Sequence, residues 1–213
     1  MRHGGRGLMA ACWILLAAGA LAGQDTDPPP FLLSGGLEGV LVVGESSDFL
    51  DGGTGVGLGV TWLPGPGSAL GLTVRAHRVG LEPDRDGLTD AEARNTLYSV
   101  TVGPLLQASV GPLRPYVEGS VGFTSGRWTT DAPGGEAHGT SSATTWSGAA
   151  GLRIPLSRGA TPLSVKMEGR IDRVGSLYFA RAPDPVHPER STGIREHDVA
   201  LIGVHLGLTL GLP

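Results

Sequence analysis

Along most of this chain, residues of one parity are apolar and residues of the other are small or polar. Eight segments carry the pattern, at roughly 31–43, 53–62, 69–79, 95–110, 114–127, 144–156, 163–174 and 195–210. A period of two is the signature of a β-strand whose faces meet different surroundings, and no stretch shows the 3.6-residue stripe of an amphipathic helix. The segment "GTGVGLGVTW", residues 53–62, poses the question sharply. Thr54, Val56, Leu58, Val60 and Trp62 share one face, while Gly53, Gly55, Gly57 and Gly59 leave the other almost bare. A half-buried strand of a soluble sheet sets polar side chains against water on its second face. This one does not.

The links between segments alternate in length. "LPGPGS", "GPL" at 111–113 and "SRGATP" are short and built from turn residues, whereas 44–52, 80–94, 128–143 and 175–194 are longer and more polar. Short connections at one end and long ones at the other predict an all-β fold: an eight-stranded antiparallel up-and-down transmembrane β-barrel over residues 31–213. Pro104 interrupts the fourth segment, and proline cannot donate to a ladder, so a bulge or local break is expected there.

Parity divides the side chains between lipid and lumen. The outward set includes Leu37, Val56, Leu58, Val74, Val102, Val121, Ile171 and Leu206, with no charge among them. Phe31 and Trp62 fall on the same face at the short-turn ends, and Tyr98 and Trp146 at the long-loop ends. Amphipathic rings prefer the two membrane boundaries, so these four are the expected interfacial aromatics. The inward set holds Glu38, Glu118, Glu168 and Asp172 against Arg75, Arg153, Lys166 and Arg170, separated by glycine, serine and threonine. Equal numbers of acids and bases predict an ion-pair network that plugs the lumen, and inward glycines leave room for these long side chains.

Composition then fixes the compartment. Residues 1–22 combine Arg2 and Arg6 with a short apolar run from Leu8 to Ala22 that closes on Ala20-Leu21-Ala22, the form of a cleaved signal peptide; a polar, proline-rich lead-in, 23–30, follows. Losing the two leader arginines moves the formal charge from -4 to -6, and the leader also carries the one cysteine, Cys12. The exported chain is therefore held without disulfides. Its mildly acidic balance gives no footprint for nucleic acid. The expected location is the bacterial outer membrane, as a monomer.

At "LRPYVEGSVGF", Leu113 to Phe123, the chain resembles the fifth strand of small outer-membrane β-barrels of the OmpA transmembrane-domain and opacity-protein type. The resemblance implies an envelope anchor, adhesin or binding scaffold, inserted by the barrel-insertion machinery and presenting four long loops to a surface ligand. The last strand, "HDVALIGVHLGLTLGLP", alternates like the family's assembly signal but ends in Leu212-Pro213, where the family usually has an aromatic residue.

Candidate chemistry is sparse. A lipid A- or phospholipid-modifying enzyme would draw on His77, His205 or His197 as base, Ser120 or Ser147 as nucleophile and Glu118 to orient, but no histidine-serine spacing recommends itself. His138, His187 and His197 lack metal-ligand spacing, so neither metal nor cofactor is expected. A small-solute pore would want a lumen of one prevailing sign. Arg78, Arg127 and Arg173 continue the outward parity to the long-loop rim, where guanidinium groups suit lipopolysaccharide phosphates. The sequence therefore reads as a non-enzymatic envelope structural or surface-interaction protein.

Overall fold

A computed structural model describes residues 30–48, 50–65, 68–83, 93–132, 135–157, 161–180 and 194–213. The expected signal peptide, most of the lead-in and His187 lie outside the described residues. Eight strands, β1 (Phe31–Val43), β2 (Leu50–Trp62), β3 (Leu70–Pro83), β4 (Ala93–Gln107), β5 (Arg114–Ala132), β6 (Gly135–Pro155), β7 (Leu163–Ala180) and β8 (Ile194–Leu212), pair antiparallel in chain order and close β8 onto β1. A short 3₁₀ turn, Glu45–Asp48, links β1 to β2. Closure leaves no unpaired sheet edge at membrane depth, which hydrocarbon could not satisfy.

The register sets the geometry. The pairing runs Leu33, Val60, Val74, Val102, Val121, Trp146, Arg173, Ala200 and back to β1 at Val43, ten residues beyond its start. Eight strands staggered by that amount lean at roughly 40° to the barrel axis and enclose a space narrow enough for side chains to fill.

Several strands outrun their sequence patterns at the long-loop end. The ladder of β5 with β6 continues from Trp128 opposite Gly139 to Ala132 opposite Gly135, so most of the stretch expected as a polar loop, 128–132 and 135–143, is instead paired strand. Parts of the 80–94 and 175–194 links are likewise strand, in β3, β4, β7 and β8. Backbone pairing above the membrane needs no apolar period, so the alternation stops before the strands do. Pro104 gives the expected local break, without a bulge. Leu72 faces Pro104 in an unbroken β3–β4 register, and the β4–β5 ladder omits Gly103 and Pro104 but resumes at Leu105 opposite Glu118 in the same register.

Candidate functional site

The outward face is the apolar one over the central span of the strands. Leu37 is 69% exposed, Phe123 71% and Leu206 58%, whereas the inward Glu38 is 4% exposed. A face of this kind is stable only against hydrocarbon. Phe31 stands opposite Trp62 on the β1–β2 ladder at the short-turn end; Tyr98 and Trp146 stand on β4 and β6 toward the other. All four rings are exposed.

Inside, the charges form two groups rather than one balanced mesh. In the first, Arg75 on β3 binds Glu168 on β7 and Glu118 on β5, while Lys166 Nζ lies 3.0 Å from Glu168 and the Tyr116 hydroxyl donates to Glu168 at 2.7 Å. In the second, Arg170 donates to Glu38 at 2.6 Å and to Asp172 at 2.7 Å, and His77 Nδ1 lies 3.5 Å from the other Glu38 oxygen. Arg153, expected within the ion-pair network, instead donates to Gln107 at 2.9 Å and stacks on Tyr116. Among the described residues it has no carboxylate partner.

The bare face of β2 has a specific use. A side chain at Gly57 would run into the Glu38 carboxylate at 3.0 Å and the His205 ring at 3.3 Å, and one at Gly36 would meet His205 Nε2 at 2.8 Å. These glycines make the space in which a carboxylate and an imidazole lie flat against the wall.

Beyond the charged layers the lumen changes character, which strand parity did not reveal. Ser99, Thr124 and Thr145 form a hydroxyl chain across β4, β5 and β6. Past it comes an apolar cap of Val40, Val42, Leu50, Val79, Leu81, Leu97, Val174, Leu177, Phe179, Val199 and Leu201. The polarity of the wall inverts at this level: apolar groups point inward, and Asp51, Glu82, Glu196 and Asp198 are exposed outside. Two bulges build the cap. Inward residues of β7 are even-numbered through Val174, but the register slips before Leu177, and Leu177 and Phe179 turn inward. A slip between Leu50 and Gly53 does the same for Leu50 on β2. One extra residue exchanges the two faces of a strand. Leu50 and Leu177, both 0% exposed, owe their burial to that exchange. The signal available in sequence was the run of consecutive apolar residues at 40–43 and 199–202, which breaks the alternation on both strands.

Candidate catalytic groups do not assemble. Ser120 faces Ser147 across the β5–β6 ladder, but Ser147 Oγ, both nitrogens of His77 and Nε2 of His205 are buried without hydrogen-bond partners among the described residues. No group of three or more His, Cys, Asp or Glu residues suited to a metal ion occurs among the described residues.

At the rim, the Arg78 guanidinium lies 5.8 Å from the centroid of Tyr98, its ladder partner. Arg173 is the ladder partner of Trp146. Arg127 stands between Thr96 and Thr140, two residues further out than Ser125, which pairs with Tyr98. Two of the three rim arginines thus sit beside an aromatic of the outer girdle, and the third lies beyond it.

No family model matches the chain, and no curated protein matches it by sequence. Solved structures do match. Neisserial surface protein A superposes with a TM-score of 0.59 at 10% identity, over 88% of this chain and 100% of that one. Ail, the attachment invasion locus protein of Yersinia pestis, superposes with a TM-score of 0.53 at 14% identity, over 87% and 99%. At such identities the likeness is one of fold, and the fold is that of the small eight-stranded outer-membrane β-barrels.

Proposed function

We propose that this protein is an outer-membrane β-barrel that works with its outside: a structural and surface-interaction protein of the cell envelope, adhesin-like in its long hairpins and sealed within. The observation that supports this reading most is the filled lumen. Ion pairs cross it at mid-height and an apolar cap covers it above, which supports a role for the outer surface over solute passage or a reaction inside the barrel. Its surface, in contrast, offers a girdled apolar band, a rim of arginines and strands that rise past the membrane.

The partners proposed are outer-membrane lipid and, at the rim, lipopolysaccharide. A guanidinium held against an aromatic ring keeps its outer N–H groups for phosphate, while its stem stays along the apolar wall. Arg78 and Arg173 fit that role, and Arg127 would serve an outer phosphate.

The barrel, refolded in planar bilayers, is expected to give no steady channels, and lipid A from cells overproducing it is expected to keep its mass. Cells displaying it should adhere to host-matrix surfaces more than cells displaying a barrel with the β5–β6 hairpin shortened. Stable conductance would favour a pore, a change in lipid A mass would favour an enzyme, and equal adherence would remove the adhesin role.

A further inference from the structure

Arg114, Arg153 and Lys166 stand directly opposite one another on β5, β6 and β7, in a single row at the short-turn mouth of the lumen. Arg153 and Lys166 are buried there and Arg114 is half-buried. Like charges set opposite each other in a ladder repel and cost stability, and Arg153, with a cation on either side, bears most of that cost. The two carboxylates one layer further in are already engaged. Glu118 holds Arg75 at 2.7 Å, and Glu168 holds Arg75 at 2.6 Å and Lys166 at 3.0 Å. Arg153 is left to neutral partners: its guanidinium sits 4.6 Å from the Tyr116 centroid, it donates once to Gln107, and its Nε is buried with no partner. Arg114 donates to the Ser109 hydroxyl at 3.4 Å. Cations therefore outnumber carboxylates toward the short-turn end, while Glu38 and Asp172 share Arg170 toward the other.

The geometry points to an oxyanion site at this mouth, taking a phosphate-class group between Arg153 and Arg114, with Lys166 as the third cation of the row. Guanidinium forks on neighbouring strands, about 5 Å apart at the backbone, suit a tetrahedral anion with several acceptor oxygens. The anion would supply the negative charge that Arg153 lacks and relieve the repulsion along the row. Free phosphate and a phospholipid headgroup carry the same chemistry, and the site lies at the short-turn mouth whichever leaflet that end faces.

Two arms of one experiment separate these sources. The barrel in maltoside micelles and phosphate-free buffer is titrated with inorganic phosphate at constant ionic strength, with calorimetry for affinity and NMR for the Arg153 Nε–H signal. Saturable movement of that signal is expected. Loss of one charge-assisted contact should weaken phosphate binding roughly ten-fold in Arg153→Lys and in Arg114→Gln. Glu82→Gln, exposed near the far end of the barrel, should leave it unchanged. In the second arm the barrel is placed in discs of phosphatidylglycerol or of a phosphate-free galactolipid. A signal that moves only in phosphatidylglycerol identifies the headgroup as the ligand. Arg114→Gln, at the less buried position, keeps the comparison open if Arg153→Lys does not fold. An unmoved signal in both arms, or equal affinity in the wild type and both row variants, overturns the site.

Discussion

Arg75 and Glu168 grip each other across the lumen through two parallel hydrogen bonds, Nη1 to Oε1 at 2.6 Å and Nη2 to Oε2 at 2.8 Å. Their strands, β3 and β7, are four apart in a ring of eight, so the pair ties opposite walls together. Removing one partner leaves the other charge buried, a loss of about 3–5 kcal/mol, whereas replacing both by apolar groups is far milder. Arg75→Met and Glu168→Met should each lower the stability of the folded barrel by about that amount, and the double variant Arg75→Met/Glu168→Met should lose less than the sum of the two. Urea unfolding in micelles, followed by the gel-mobility difference between folded and boiled samples, measures the cycle. Strict additivity would mean that the fork is not a unit.

The apolar cap is a separate closure. Leu177 is packed among Phe179, Leu97 and Val174, and its truncation should cost about 2–5 kcal/mol as transfer and cavity terms combine. The ion-pair layers lie further in and do not depend on it. Leu177→Ala is therefore expected to melt earlier than wild type in micelles yet remain as silent in planar bilayers. Conductance appearing in this variant alone would show that the cap, rather than the charges, seals the barrel.

Parity in the sequence reached the architecture because lipid and lumen impose opposite chemistry on alternate residues, and that contrast is strongest at mid-membrane. Leu58 out and Gly57 in, or Met167 out and Glu168 in, needed only counting. Two kinds of fact were not in the count. A bulge exchanges the two faces of a strand, so Leu177 and Leu50, which fall in the links 175–194 and 44–52, are not placed by extending the parity of β7 and β2. Register is a relation between strands, and nothing within β6 alone says that Arg153 will face Arg114 on one side and Lys166 on the other. The inventory of four acids and four bases was legible; that it divides into groups by height was not.

The three tryptophans among the described residues report on the membrane boundary. Trp62 and Trp146 lie on the outward face near opposite ends of the apolar band, 45% and 65% exposed, whereas Trp128 is buried above it. Variants keeping one of the three, with phenylalanine at the others, can be reconstituted with lipids brominated at shallow or deep acyl positions. Indoles settle at the boundary between headgroup and hydrocarbon. Shallow bromines should quench Trp62 and Trp146 more than deep ones, and Trp128 should be quenched by neither. Strong quenching of Trp128 would place the membrane higher than the girdles do.

Two glycines of β1, three residues apart, separate close approach from mere pattern. A Cβ at Gly36 would overlap the Leu206 carbonyl oxygen and the Gly207 backbone on β8 and crowd the His205 ring, while a Cβ at Gly39 would have nothing within 4 Å. Backbone atoms in a closed ladder cannot step aside as a flexible side chain can, so the added methyl at Gly36 must be absorbed by the β1–β8 seam that closes the barrel. Overpacking of that kind costs about 1–3 kcal/mol. At Gly39 the methyl lies on the outward face, where alanine removes backbone freedom from the unfolded chain and adds apolar surface to the lipid side. Gly36→Ala should therefore unfold at lower urea than wild type and Gly39→Ala at equal or higher urea, with both reaching the folded gel position. If the two variants behave alike, the glycines of this strand reflect composition rather than the fit of His205 against the wall.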